Sequence, residues 1–144
     1  MIATALDWFR HTRRARLAAA GKMSADLALG RRGEDLAHRY LRRHGYTIVA
    51  RNYRLAAGDA EADLIARDGE DLVIVEVKTR ESSEYGPPER AIGSDKQRHL
   101  KRVAREYARK TDTPWEYVRF DVVTVVMRPQ PEITLFRHAF HPAR

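Results

Sequence analysis

Residues 61–80, Glu-Ala-Asp-Leu-Ile-Ala-Arg-Asp-Gly-Glu-Asp-Leu-Val-Ile-Val-Glu-Val-Lys-Thr-Arg, constrain this chain more than any other stretch. Two apolar runs flank a turn signal at Asp68-Gly69-Glu70; the first carries Asp63 and the second carries Glu76-x-Lys78. Val73, Val75 and Val77 alternate with Ile74, Glu76 and Lys78, the period of a strand, so the latter three share one face. A two-residue Gly69-Glu70 loop suits a type II′ hairpin, which takes glycine at its first central position. That register pairs Asp68 with Asp71 and sets Asp63 opposite Glu76. An Asp68-Gly69 loop would move Asp63 to the diagonal on the same face, and a three-residue loop would separate the two acids.

Two carboxylates about 5 Å apart repel by on the order of 3 kcal/mol at an effective dielectric near 20, and like charges facing each other on a sheet are unfavourable. A divalent cation with oxygen ligands removes the repulsion, and Mg²⁺ commonly takes one or two carboxylates while keeping several waters. The bland alternative is a structural ion-pair network in which Lys78 alone balances the acids.

A chain of 144 residues suits one domain with a sizeable core. The absence of cysteine excludes disulfides, a thiol nucleophile and cysteine-ligated zinc. No run is long and apolar enough for a transmembrane helix, and Asp7 and Arg10 interrupt Leu6, Trp8 and Phe9, unlike a secretory signal. A cytoplasmic protein without a membrane partner is the default expectation. Lysine and arginine total 27 against 20 acidic residues, a formal charge of +7 with a pI near 10, which points to a polyanionic partner. On charge alone nucleic acid is the first expectation, and ribosome or anionic membrane contact would look similar.

Residues 1–23, with Arg10, Arg13, Arg14 and Arg16, read as a basic N-terminal arm or frayed helix, and 24–144 as a single domain. A helix is expected from just after Ser24 to about His44, closed by Gly45 at C′. Glu34 lies at the edge of its apolar face of Leu29, Gly33, Leu36, Ala37, Tyr40 and Leu41, where an acid ordinarily stays solvated. Strands follow at about 46–54, 62–67 and 71–80, then a loop over Glu81–Gly93 containing Gly86, Pro87 and Pro88. Ser94-Asp95-Lys96-Gln97 reads as a capping box opening a helix to about Lys110. Lys96 falls on its inner face, Lys101 and Arg105 on its outer face. The β-branched run 116–127 predicts a strand buried on both faces, and Ile133–Phe136 a short edge strand.

A helix bearing Glu34, then Asp63, then Glu76-x-Lys78, in an αβββαβ order, resembles the PD-(D/E)xK nuclease superfamily of restriction-endonuclease-like fold. The chain is similar to the bacterial YraN family at Gly30-x-x-Gly33-Glu34, Gly45-Tyr46, Arg51-Asn52-Tyr53-Arg54, Asp63-Leu64-Ile65-Ala66, Val75-Glu76-Val77-Lys78-Thr79-Arg80, Lys96 and Arg119-Phe120-Asp121-Val122-Val123. Archaeal Holliday-junction resolvases share the acid-helix, Asp, Glu-x-Lys arrangement. The family's Gly-Glu-Ile-Asp reads Ala60-Glu61-Ala62-Asp63 here, and no proline precedes Asp63.

The resemblance implies an α/β core with a mixed central sheet flanked by helices, and Mg²⁺- or Mn²⁺-dependent hydrolysis of phosphodiester bonds, in branched or damaged DNA for instance. It implies that Asp63, Glu76 and the Val77 carbonyl hold the metal, that Glu34 reaches it through water, and that Lys78 positions or deprotonates the attacking water. Arg80 and Lys96 would contact phosphate, with Lys101 and Arg105 as further nucleic-acid contacts. The alternative is a non-catalytic nucleic-acid-binding module of the same fold. Oligomeric state stays open, a homodimer included. Asp121 reads first as a buried hydrogen-bonded acid and second as a support for Lys78. His138-x-x-His141 lacks a third zinc ligand and reads as a surface tail. Ser82 and Ser83 have no His/Asp partners that would make a nucleophile.

Overall fold

A computed structural model of the protein describes residues 5–81 and 92–142, the side chains of 5–20 and of Met23 excepted. The elements in chain order are α1 (Ala5–Arg43), β1 (Thr47–Arg54), β2 (Glu61–Asp68), β3 (Asp71–Arg80), α2 (Ser94–Lys110), a 3-10 turn (Trp115–Tyr117), β4 (Val118–Val126) and β5 (Glu132–Phe136). Most of the loop expected after Glu81, including Ser82 and Ser83, lies outside the described residues. No helix is long and apolar enough to cross a membrane among the described residues.

The chain divides into two compact units, Met1–Arg32 and Gly33–Arg144. The first consists of helix wherever it is described. Its helix begins at Ala5 rather than after Ser24. Alanine, leucine and arginine between 5 and 20 are strong helix formers, and Gly21 and Ser24 cost too little to stop a helix without a proline or a competing cap. Ser24 is therefore an interior position.

In the second unit α1 ends in a Schellman motif. Tyr46 N–H donates to the Leu41 carbonyl at 3.0 Å and Gly45 N–H to that of Arg42 at 3.2 Å, with Gly45 at φ +88°. Five strands follow in the spatial order β1-β2-β3-β4-β5. All neighbours are antiparallel except β3 and β4, which run parallel and are joined through α2. Ala37 and Leu41 of α1 cover one sheet face with Leu64, Ala66, Val73, Val75, Val123 and Val125. Leu100, Val103, Ala104 and Ala108 of α2 cover the other with Ile65, Leu72, Ile74 and Phe120. A mixed α/β sheet with a helix on each face is the expected architecture, and β4 is buried on both faces as its β-branched run predicts.

The capping box does not form. Gly93 occupies the N-cap with no side-chain cap bond, and Gln97 Nε2 donates to the Ile92 carbonyl at 3.1 Å. Helix α2 thus starts where its backbone leaves an extended Gly93, and the glutamine side chain binds the preceding turn.

The β2–β3 hairpin has the expected register. Asp68 pairs with Asp71 around Gly69-Glu70, and the ladder continues through Ala66–Val73 to Leu64–Val75. Gly69 has φ +59° and Glu70 does not share a positive φ, as a type II′ turn requires.

At the turn end of the hairpin sits a buried ionic cluster. Arg119 donates to Asp121, Asp68, Asp71 and the Tyr46 hydroxyl at 2.8–3.0 Å while only 5% exposed. Tyr46 in turn donates to Asp121 at 2.9 Å. Asp121 is therefore the buried hydrogen-bonded acid expected first. Its side-chain bonds run to Arg119, Tyr46 and the His138 N–H, so a supporting role for Lys78 is not what the structure gives it.

Candidate metal centre

The sheet forks where the acids lie. The β2–β3 pairing stops at Leu64–Val75. Beyond that point β2 follows β1, through Tyr53–Ala62 and Arg54–Glu61, while β3 stays with β4 as far as Arg80–Val126. In a continued antiparallel ladder the next bonded pair after Leu64–Val75 would be Ala62–Val77. Instead Val77 N–H donates to Asp63 Oδ2 at 2.8 Å. A strand residue sends its N–H and C=O to the same side, so the Val77 carbonyl also points into the fork.

The side-chain phase slips at the same place. Leu64 and Ala66 pack under α1, whereas Ala62 and Ile65 pack under α2, so strict alternation breaks at Asp63. On β1, Asn52 has φ +48°, a left-handed conformation that asparagine tolerates better than most residues. Irregularities of this kind re-aim side chains beside functional sites.

Glu76 points from β3 into the fork and is 5% exposed. Its Oε1 lies 3.7 Å from Lys78 Nζ and its Oε2 lies 3.6 Å from Lys96 Nζ, ion pairs too long to be hydrogen bonds. Among the described residues Oε2 is buried without a hydrogen-bond partner. Burial, and then the Asp63 charge, push Glu76 up to about 7, against the opposing pull of Lys96 and Lys78. Burial also raises Asp63, opposed by the Val77 N–H and the same two lysines.

Glu34 reaches the rim of the fork from α1 because Gly33 allows the helix to come down on β3. A β-carbon at Gly33 would overlap the Thr79 side chain. Burial and the Asp63 charge raise the Glu34 pKa, so Glu34 shares the field of the pair. Between Glu34 and Glu61 stands the Asn52 amide, 3.3 Å from a carboxylate oxygen of each once its nitrogen faces them. Arg51 lies 3.8 Å from Glu34, and Arg54 pairs with Glu61 at 2.9 Å.

The structure thus brings together Glu34, Asp63, Glu76, Val77, Lys78 and Lys96. Arg80 follows Lys78 by two residues on the same strand, half-buried, with its carbonyl accepting from Met127. Lys101 and Arg105 do not join the group, lying about 140° and 180° around α2 from Lys96. Arg105 instead packs over the Trp115 ring at 5.6 Å. Sequence reasoning missed Asn52 and Glu61 as members. Glu61 could have been found from its spacing of two from Asp63; the left-handed turn at Asn52 had no local signal.

The donors fit a hard divalent cation. Two carboxylates, one of them with a buried oxygen that accepts no hydrogen bond among the described residues, and a backbone carbonyl form an all-oxygen set of the kind Mg²⁺ and Mn²⁺ prefer. Among the described residues no group of three or more histidine, aspartate or glutamate side chains could hold a metal by itself. Any ion here would therefore use the pair and complete its shell with water, leaving Glu34 to act through water.

The sequence profile of the uncharacterised protein family UPF0102 matches residues 33–125, which begin at the first residue of the sheet-bearing unit and include every residue of the fork. The chain belongs to UPF0102. It is 53% identical over 111 residues to a UPF0102 protein of Solibacter usitatus (strain Ellin6076), covering 77% of this chain and 84% of that one. A UPF0102 protein of Rhodococcus opacus (strain B4) is 48% identical over 120 residues, 82% of this chain and all of its own length. One from Geobacter metallireducens (strain ATCC 53774 / DSM 7210 / GS-15) is 44% identical over 117 residues, 81% of this chain and 94% of its own. For UPF0102 the match places the fork inside the shared segment and the whole Met1–Arg32 unit outside the profile.

Proposed function

We propose that this UPF0102 member is a cytoplasmic nuclease that hydrolyses phosphodiester bonds, in DNA before RNA, with Mg²⁺ or Mn²⁺ at Asp63, Glu76 and the Val77 carbonyl. The observation that carries the reading is the buried Glu76 Oε2, which accepts no hydrogen bond among the described residues, beside a second buried carboxylate. A protein needing only to bind polyanions would use lysine and arginine there, and burying paired carboxylates costs stability that an ion restores. The likeness to the PD-(D/E)xK superfamily, and to the Holliday-junction resolvases within it, supports the same chemistry and suggests branched or damaged DNA as substrate.

A divalent ion bound there would lower the pKa of a coordinated water and offset charge developing on the phosphoryl oxygens. Asp63 is oriented for this by the Val77 N–H, which donates to its Oδ2. Lys78, on the face of Glu76, would orient the attacking water as a hydrogen-bond donor and offset its developing charge, the proton passing to solvent. Lys96, in the first turn of α2, can exchange its ion pair with Glu76 for a phosphate oxygen once the carboxylate is neutralised.

A specific observation favours a second reading. Lys78 and Lys96 flank Glu76, so two ammonium groups already balance the two buried acids, as a binding module without turnover would need. Single-turnover cleavage of duplex, single-stranded, branched and RNA substrates with Mg²⁺ or Mn²⁺ separates the readings. In the nuclease, Lys78→Ala slows cleavage by about a hundredfold or more, the usual scale for a lost hydrogen-bond donor to developing charge, with little change in substrate affinity. If the wild type cleaves nothing in the panel and Lys78→Ala only melts earlier, the binding module is the correct reading.

A further inference from the structure

We propose that the Met1–Arg32 unit is the polyanion-binding element of this protein, an α-helical arm that lies along the phosphate backbone of duplex nucleic acid. The inference rests on the reading above for its class of partner and adds the surface that holds it. Residues 1–32 hold seven of the 27 lysines and arginines but only two of the 20 acidic residues. That is +5 of the chain's +7, so the 112 residues of the sheet-bearing unit are nearly neutral. Several surface cations of that unit are also paired within it: Arg51 with Asp35, Arg54 with Glu61, Arg102 with Asp59, and Lys110 with Glu106. The charge that suggested a nucleic-acid partner therefore resides in the arm.

Its arrangement is ordered by the helix. Because the helix is continuous from Ala5, Arg10, Arg13, Arg14, Arg31 and Arg32 occupy positions within an arc of about 100°. Arg13 and Arg31 are 18 residues apart, as are Arg14 and Arg32. Eighteen residues make five turns, so the two arginine pairs lie in line about 27 Å apart, a length over which one strand of B-DNA presents about eight phosphates. Leu17, Gly21, Ser24 and Ala28 fill the same arc between the pairs, keeping it free of intervening charge. Asp7 borders the arc and Asp26 lies across the helix from it.

Two further observations weigh against a purely structural role. Lys22, Ser24, Ala25, Asp26, Leu27 and Ala28 are all exposed, Leu27 at 61%, so this stretch of helix has no buried face of its own. Arg10 and Arg14 are like charges four residues apart, a spacing that destabilises an isolated helix. A polyanion laid along the arc relieves that repulsion.

The test uses the full-length chain with all five arc arginines changed to glutamine, a good helix former, and a second variant with lysine at the same positions. Duplex binding is followed by fluorescence anisotropy from 50 to about 300 mM salt. Wild type and the lysine variant are expected to give log K against log salt slopes of roughly −4 to −5, and the glutamine variant a slope shallower by about 0.9 for each phosphate it no longer neutralises. Far-ultraviolet circular dichroism should report equal helix content in all three. An unchanged slope in the glutamine variant would overturn the proposal, as would loss of binding in the lysine variant. So would a wild type that ignores duplex at 50 mM salt and sediments with phosphatidylserine vesicles, since the arm would then be a membrane element. Absence of cleavage with Mn²⁺, alongside the expected slopes, would refute the nuclease reading and leave the arm standing.

Discussion

Glu76→Gln should stabilise the metal-free protein at alkaline pH, and the reason lies in the fork. Glu76 is raised from an ordinary 4.5 to about 7 by burial and by Asp63. Between those values the folded protein holds a proton that the unfolded chain releases. The stability contributed by this group is therefore complete below about 4.5 and is lost as pH rises through 7. Each pKa unit corresponds to about 1.4 kcal/mol, so the ionised pair costs on the order of 3 kcal/mol at pH 8. Glutamine has the same shape, carries no charge and removes that slope. The difference in unfolding free energy between variant and wild type, from urea titrations at pH 5 and pH 8, should grow by about 3 kcal/mol, on the order of 10 °C in Tm. Mn²⁺ should close the gap, since a ligand at a hundred times its Kd adds about 2.7 kcal/mol to the wild type alone. A variant that is destabilised equally at both pH values would refute the reasoning, because Glu76 would then be a satisfied structural acid.

Two other perturbations test how the fork is held. Gly33→Ala forces a β-carbon into Thr79 and should cost about 1–3 kcal/mol in urea unfolding, with Mn²⁺ affinity falling as Glu34 is carried away; Thr79→Ala in the same background removes the closest clash but keeps the Thr79 β-carbon position, so it should recover only part of the loss. Arg119→Met leaves Asp68, Asp71 and Asp121 without their shared cation and should cost about 3–5 kcal/mol by the same measurement.

The site was legible where chemistry is local. Asp68-Gly69-Glu70 specifies its own turn, and a two-residue turn fixes the register that puts Asp63 level with Glu76. The period of two then carries Lys78 to the same face. What sequence could not supply were decisions made against distant neighbours. The phase slips at Asn52 and Asp63 arise because β2 must leave β3 for β1, and neither residue announces this alone. Arg119 meets Asp121 on its own strand but also Asp68 and Asp71 of the β2–β3 hairpin, about fifty residues earlier, so its burial had no local cue. The helix start failed for the opposite reason. Ser24 looks like a cap, but a cap matters only if the preceding residues prefer another conformation, and residues 5–22 do not. Ser94 misled in the same way, since the backbone at Gly93 already provides the entry to α2.

The fork also bears on which ions the centre can accept. Asp63 travels with the β1–β2 pair, while Glu76 and Lys78 travel with β3–β4. Past Leu64–Val75, the bond from Val77 N–H to the Asp63 carboxylate stands in for the rungs that would otherwise lock the two halves. A pair of acids fixed by a full ladder would have one width, whereas this one can open or close as the two halves bend. Magnesium and manganese bind oxygen near 2.0–2.2 Å and calcium at about 2.3–2.6 Å, a difference that a small bend at the fork can absorb. If the proposed ion binds here, discrimination among divalent ions would depend on the elasticity of the sheet rather than on a rigid cavity, and stiffening the fork would sharpen ionic preference without touching a single ligand.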